Sequence, residues 1–162
     1  MTTERFWNII QSARQEDTNP ESVAAMVRST LEGLTTDEVL GFDRELTKRR
    51  AESYRWDLWA IAYIVNGGCS DDGFDYFRGW LIAKGRNYYE AALANPVRAA
   101  DEAEPDANEC EDMIHVAAAV YKSKTGTYPP KSDIPLPSEP AGEKWDEEDL
   151  QSLYPELCER FW

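Results

Sequence analysis

The densest run of reactive side chains is Ser70-Asp71-Asp72-Gly73-Phe74-Asp75-Tyr76-Phe77-Arg78-Gly79-Trp80. On a helix, Asp71 and Asp75 stand four positions apart, so both carboxylates fall on one face, and Arg78 follows three further along. Two close carboxylates each raise the other's proton affinity, which suits acid–base chemistry, and such oxygens also hold hard cations. A structural reading uses the same residues. Acids at a helix start offset its dipole, Arg78 closes an ion pair, and Gly73 and Gly79 let a second helix come close. That reading is the default against which a site must be argued.

Cys69 lies just ahead of the helix start, where a thiolate would be stabilised. A nucleophile also wants a base, and the one histidine, His115, is not placed beside it by sequence. A small buried cysteine at a turn is the simpler account. Glu111 and Cys110 precede His115 by four and five positions, half of a metal set, and no second His or Cys-x-x-Cys completes it. No metal and no cofactor is expected. A phosphate-cradling loop, a dinucleotide glycine fingerprint and a serine elbow are all missing.

Seven aromatic residues crowd positions 56–80: Trp56, Trp59, Tyr63, Phe74, Tyr76, Phe77 and Trp80. They either wall a ligand pocket or fill the core between two crossing helices. Trp59, Phe74 and Phe77 are assigned to the core. Trp56, Tyr76 and Trp80 stay open, with Arg55 and Asp57 beside Trp56 as pocket groups or rim ion pairs. The ligand-binding candidates are therefore Asp71, Asp72, Asp75, Arg78, Trp80, Trp56 and Tyr76.

Helical elements must position these groups. Apolar spacing predicts helices over 3–15, 21–32, from Thr36 past Arg50, 56–65, from Ser70 towards Gly85, 87–94 and 108–124. Thr35 with Glu38 forms a capping box, and Asn19-Pro20 supplies a cap followed by proline. Trp56–Val65 is apolar nearly all round. Its alanines and the following Gly67-Gly68 favour a buried helix over a strand. No alternating strand pattern occurs, so the expected class is all-α, a compact domain of about six to eight helices. Five prolines within residues 125–142 forbid helix there and predict an extended arm. A last helical segment from about Asp146 should be broken by Pro155 and dock back through Leu157, Phe161 and Trp162. The expected division is a core over 1–124, an arm over 125–142 and an acidic helical segment over 143–162.

Charge narrows the classes of function. The 162 residues carry 17 Lys and Arg against 31 Asp and Glu, a net of −14. Residues 1–100 contribute −3 and residues 101–162 contribute −11. Such a chain is ill suited to gripping nucleic acid directly. Its acidic surface either keeps it soluble or receives a basic partner. The longest apolar run, Leu58–Val65, is far short of a membrane span, and no membrane role is expected. The Met1-Thr2-Thr3-Glu4-Arg5 start lacks a secretory profile, and three cysteines fit reduced thiols. A cytoplasmic protein is expected.

Phe6-Trp7-x-Ile9-Ile10 and Asp57-Leu58-Trp59-Ala60-x-Ala62-Tyr63-Ile64 occur together with a longer run. That run is Gly67-Gly68-Cys69-Ser70-Asp71-Asp72-x-Phe74-x-Tyr76-Phe77-Arg78-x-Trp80-Leu81-Ile82-x-x-Gly85-Arg86. Over roughly residues 5–120 this resembles the bacterial proteins grouped as domain of unknown function 4240. The resemblance implies a shared domain, assigns no activity, and marks Asp71, Asp72, Arg78 and Trp80 as motif members. The function expected from all of this is a helical, non-enzymatic module that binds another protein or a small ligand. The alternative is an enzyme using Asp71, Asp72 and Asp75 for acid–base or cation-assisted chemistry, with Arg78 orienting an anionic substrate.

Overall fold

Polar caps decide where the first helices begin. In the computed structural model, which describes residues 1–162, α1 (Thr3–Glu16) starts from Thr2, α2 (Pro20–Glu32) from Asn19 and α3 (Thr36–Glu52) from Thr35. Glu38 N donates to Thr35 Oγ1 at 3.3 Å, and Thr35 N donates back to Glu38 Oε2 at 2.9 Å. Two orphan donors are thereby satisfied by one residue pair.

α4 (Trp56–Val65) has no side-chain cap and is held by burial instead, with Leu58, Ala60, Ile61, Ala62, Ile64 and Val65 all inside. It stops at Asn66 because Gly67 turns left-handed at φ 64°, a conformation that residues with a Cβ resist. Ser70 then starts α5 (Asp71–Ala83), its hydroxyl accepting from Gly73 N at 3.1 Å. α6 (Arg86–Ala94), a 3-10 turn over Pro96–Ala100 and α7 (Glu111–Thr125) complete the body. α8 (Leu150–Leu153) and α9 (Pro155–Phe161) follow, divided at the proline.

The fold is all-α, with no strand. The single β-type contact is an isolated bridge between Arg55 and Ala141. Residues 126–145 contain no helix, as their prolines dictate. α7 packs against α2, α3 and α5, and α9 lies against α4. Leu150, Leu157 and Cys158 are buried in the same core as the body helices. Trp162 is 55% exposed, yet its Nε1 donates to Ile64 O at 3.2 Å. No helix is long and apolar enough to cross a membrane.

α7 begins three residues later than its apolar spacing predicts, because Asn108 serves a different purpose. Its buried Nδ2 donates to Asn66 Oδ1 at 2.9 Å and to Glu104 O at 2.5 Å, and its Oδ1 accepts from Glu104 N at 2.9 Å. This amide pair ties the end of α4 to the loop before α7. Asn108→Leu leaves those partners buried and unpaired, so unfolding free energy should fall by about 2–3 kcal/mol. Urea denaturation measures it, and a change within about 0.5 kcal/mol, the scatter of ordinary surface substitutions, would reject this account.

Candidate functional site

The last turn of α3 and the first two turns of α5 face each other across a cluster of charge. Arg50 Nε and Nη2 donate to Asp75 Oδ1 and Oδ2 at 3.0 and 2.5 Å. Arg78 Nη2 approaches Asp75 Oδ1 at 3.1 Å. Arg78 is 8% exposed, and two of its other N–H groups donate to the backbone. Nη1 donates to Arg50 O at 2.8 Å and Nε to Phe74 O at 3.3 Å. The guanidinium lies against two rings, 4.6 Å from the Tyr54 centroid and 4.9 Å from that of Phe74. Tyr54 Oη donates to Asp71 Oδ1 at 3.1 Å. Burial, reinforced by the Asp71 carboxylate, raises the Tyr54 pKa and keeps the phenol a donor.

These groups line a cavity of about 230 Å³. Its body walls are Arg50, Ala51, Tyr54, Asp71, Asp72, Asp75 and Arg78, and its outer wall is Leu136 and Pro137 of the proline-rich arm. Asp71 and Asp72 are exposed at the mouth, whereas Asp75 is half-buried behind them. The cavity therefore has a floor of two arginines around one carboxylate and an anionic rim.

Asp71, Asp72, Asp75 and Arg78 thus converge on one cavity. The other three candidates do not join them. Trp80 is only 3% exposed, packed in the core at 5.3 Å from Phe77 and 5.8 Å from Tyr88. Tyr76 turns towards α7 and donates to Glu111 Oε1 at 3.2 Å. Trp56 stacks on Trp59 at 5.2 Å and 7° and meets the edge of Trp145, whose Nε1 donates to Trp56 O at 2.7 Å. Phe74 and Phe77 are in the core as their spacing predicts. Trp59 is half-buried against that core, its Nε1 donating to Cys69 O at 2.9 Å.

Arg78, expected to orient an anionic substrate, is nearly buried and directs its guanidinium at Asp75, Arg50 O and Phe74 O. Asp75 is similarly engaged, both oxygens accepting from arginine. Arg50, Tyr54, Leu136 and Pro137 are absent from the set that spacing picks out. For Arg50 the sequence carries no specific signal beyond the lack of an acid three or four positions away in α3.

Cys69, read from sequence as a small cysteine at a turn rather than a thiolate, is part-buried. Burial, and after it the Glu109 carboxylate, pushes the thiol up to about 12. Deprotonation thus lags that of a free cysteine as pH rises. Alkylation by iodoacetamide at pH 8 should be at least about tenfold slower than for a free cysteine, and still climbing above pH 9.5. A plateau below pH 9 would contradict this. His115 and Glu111 stay exposed and 3.8 Å apart, while Cys110 is buried with its thiol towards Pro20 O. The three do not converge.

The family profile described as protein of unknown function (DUF4240) matches residues 1–123. The chain belongs to this family. No curated protein and no solved structure matches it. Every body residue of the cavity lies inside the DUF4240 match, whereas Leu136 and Pro137 lie beyond its end.

Proposed function

We propose that the chain is a binding module whose cavity between α3, α5 and the arm receives a cationic group, carried by a basic protein partner or a small ligand. One observation carries the reading. Asp75 is answered by two arginines, but Asp71 and Asp72 at the rim make no salt bridge. An amine or guanidinium placed there gains two carboxylates without displacing an existing ion pair. The Tyr54 ring stacks on Arg78, which keeps the inner wall fixed while the rim stays open.

Exposed ion pairs contribute only about 0.2–1 kcal/mol each, so a single cation binds weakly and a partner needs several contacts. The acidic net charge of −14 adds long-range attraction for basic partners and makes the affinity fall with salt. Tetralysine titrated into the 15N-labelled protein at low salt is expected to shift the amides of Ser70–Asp75 in a saturable way. The double variant Asp71→Asn/Asp72→Asn should lose most of that response while remaining folded. Equal responses from both proteins, or no saturable shift, would remove the reading.

A further inference from the structure

The arm crosses the cavity on two supports of unequal kind. At one end Asp133 makes a forked pair with Arg44, at 3.0 and 3.3 Å to Nε and 3.2 Å to Nη2, and both side chains are at least half exposed. At the other end the support is backbone. Ala141 N donates to Tyr54 O at 2.9 Å, and Trp56 N donates to Ala141 O at 2.9 Å. Trp145 Nε1 on Trp56 O reinforces that end at 2.7 Å.

Residues 134–140 make no hydrogen bond to the helical body. Pro135, Pro137 and Pro140 have no N–H to give. Leu136 stands over the cavity with 67% of its surface in solvent. An exposed ion pair is a weak fastening and is screened by salt, whereas the paired backbone groups at Tyr54–Trp56 are not. The whole crossing segment also lies beyond the family match, laid over a cavity whose body residues are all inside it.

We propose that residues 133–141 form a strap that gates this cavity, hinged at Ala141 and released at the Arg44–Asp133 pair. Lifting the Asp133 end opens the wall made by Leu136 and Pro137 and widens access to Asp71 and Asp72. The strap rests on the contacts of the arm alone; its effect on a ligand rests on the binding reading above. A ligand that needs the open form binds in proportion to the open fraction.

A nitroxide on Leu136→Cys, in a Cys69→Ser background of the full chain, reads the strap directly. It should broaden the amide signals of Asp72 and Asp75 at low salt. Arg44→Gln and Asp133→Asn should each reduce that broadening substantially. Tetralysine affinity separates gating from simple charge. Asp133→Asn removes a negative charge and Arg44→Gln removes a positive one, so electrostatics alone would move a cationic probe's affinity in opposite directions. Gating moves both the same way, with tighter binding of roughly threefold or more in each. Broadening that is missing in the parent, or unchanged in both variants, overturns the strap, as do opposed affinity changes. If tetralysine binds none of the proteins, the binding reading fails and the broadening alone decides the strap.

Discussion

Arg78→Met should lower the unfolding free energy by about 2–4 kcal/mol, far more than the loss of a surface arginine. Methionine fills some of the volume but leaves Arg50 O with only the longer 3.3 Å contact from Ser53 Oγ and strips Asp75 of one of its two cations. The cation–ring contacts with Tyr54 and Phe74 disappear as well. Arg78→Lys should recover little of this. One ammonium on a flexible stem cannot reach Asp75, Arg50 O and Phe74 O from a single plane as the guanidinium does. Guanidinium chloride denaturation of the two variants is the measurement. A lysine variant as stable as the parent would show that the charge alone, not the fork, holds α3 to α5.

Gly79→Val should be at least as damaging, at about 3 kcal/mol or more. A Cβ at Gly79 would run into the carbonyl oxygen of Cys110 and meet Ile114 Cγ1 at 2.9 Å. Backbone oxygen cannot turn aside like a side-chain tip, so α5 and α7 would have to separate. Gly73→Ala serves as the contrast. There a Cβ meets Glu109 Oε1 at 3.1 Å and Ser70 Oγ at 3.3 Å, movable groups both, while alanine gains about 0.5–1 kcal/mol in a helix. The two substitutions should therefore differ by more than about 2 kcal/mol in a urea melt. Similar losses at both positions would mean that the α5–α7 contact is looser than its geometry.

What the sequence made legible was local. Helix starts at Thr35 and Ser70 follow from a side-chain oxygen and its neighbours within three positions, and both occur as predicted. The placement of α4 as a helix follows from an apolar run too short for a membrane and closed by glycine. Asp71 and Asp75 on one face likewise need only the helical period. The rest of the cavity is assembled by tertiary contacts that no period encodes. Arg50 meets Asp75 across 25 positions, and Leu136 arrives from some 60 further on. Spacing leaves Trp80 and Tyr76 open for the same reason: a helix inside a bundle has neighbours on most sides, so period alone does not say which side meets water. Spacing alone extends α7 back to Asn108, because a polar residue ahead of a helix looks like part of it when its buried partners are far away in sequence.

The stacked indoles of Trp56 and Trp59, nearly parallel at 5.2 Å, have an optical consequence. Rings this close share their electronic excitation, so the pair should give a near-ultraviolet dichroism unlike that of separate tryptophans. Because Trp56 N is also the donor that holds Ala141, this band is a built-in spectroscopic reporter at the point where the arm meets the helices.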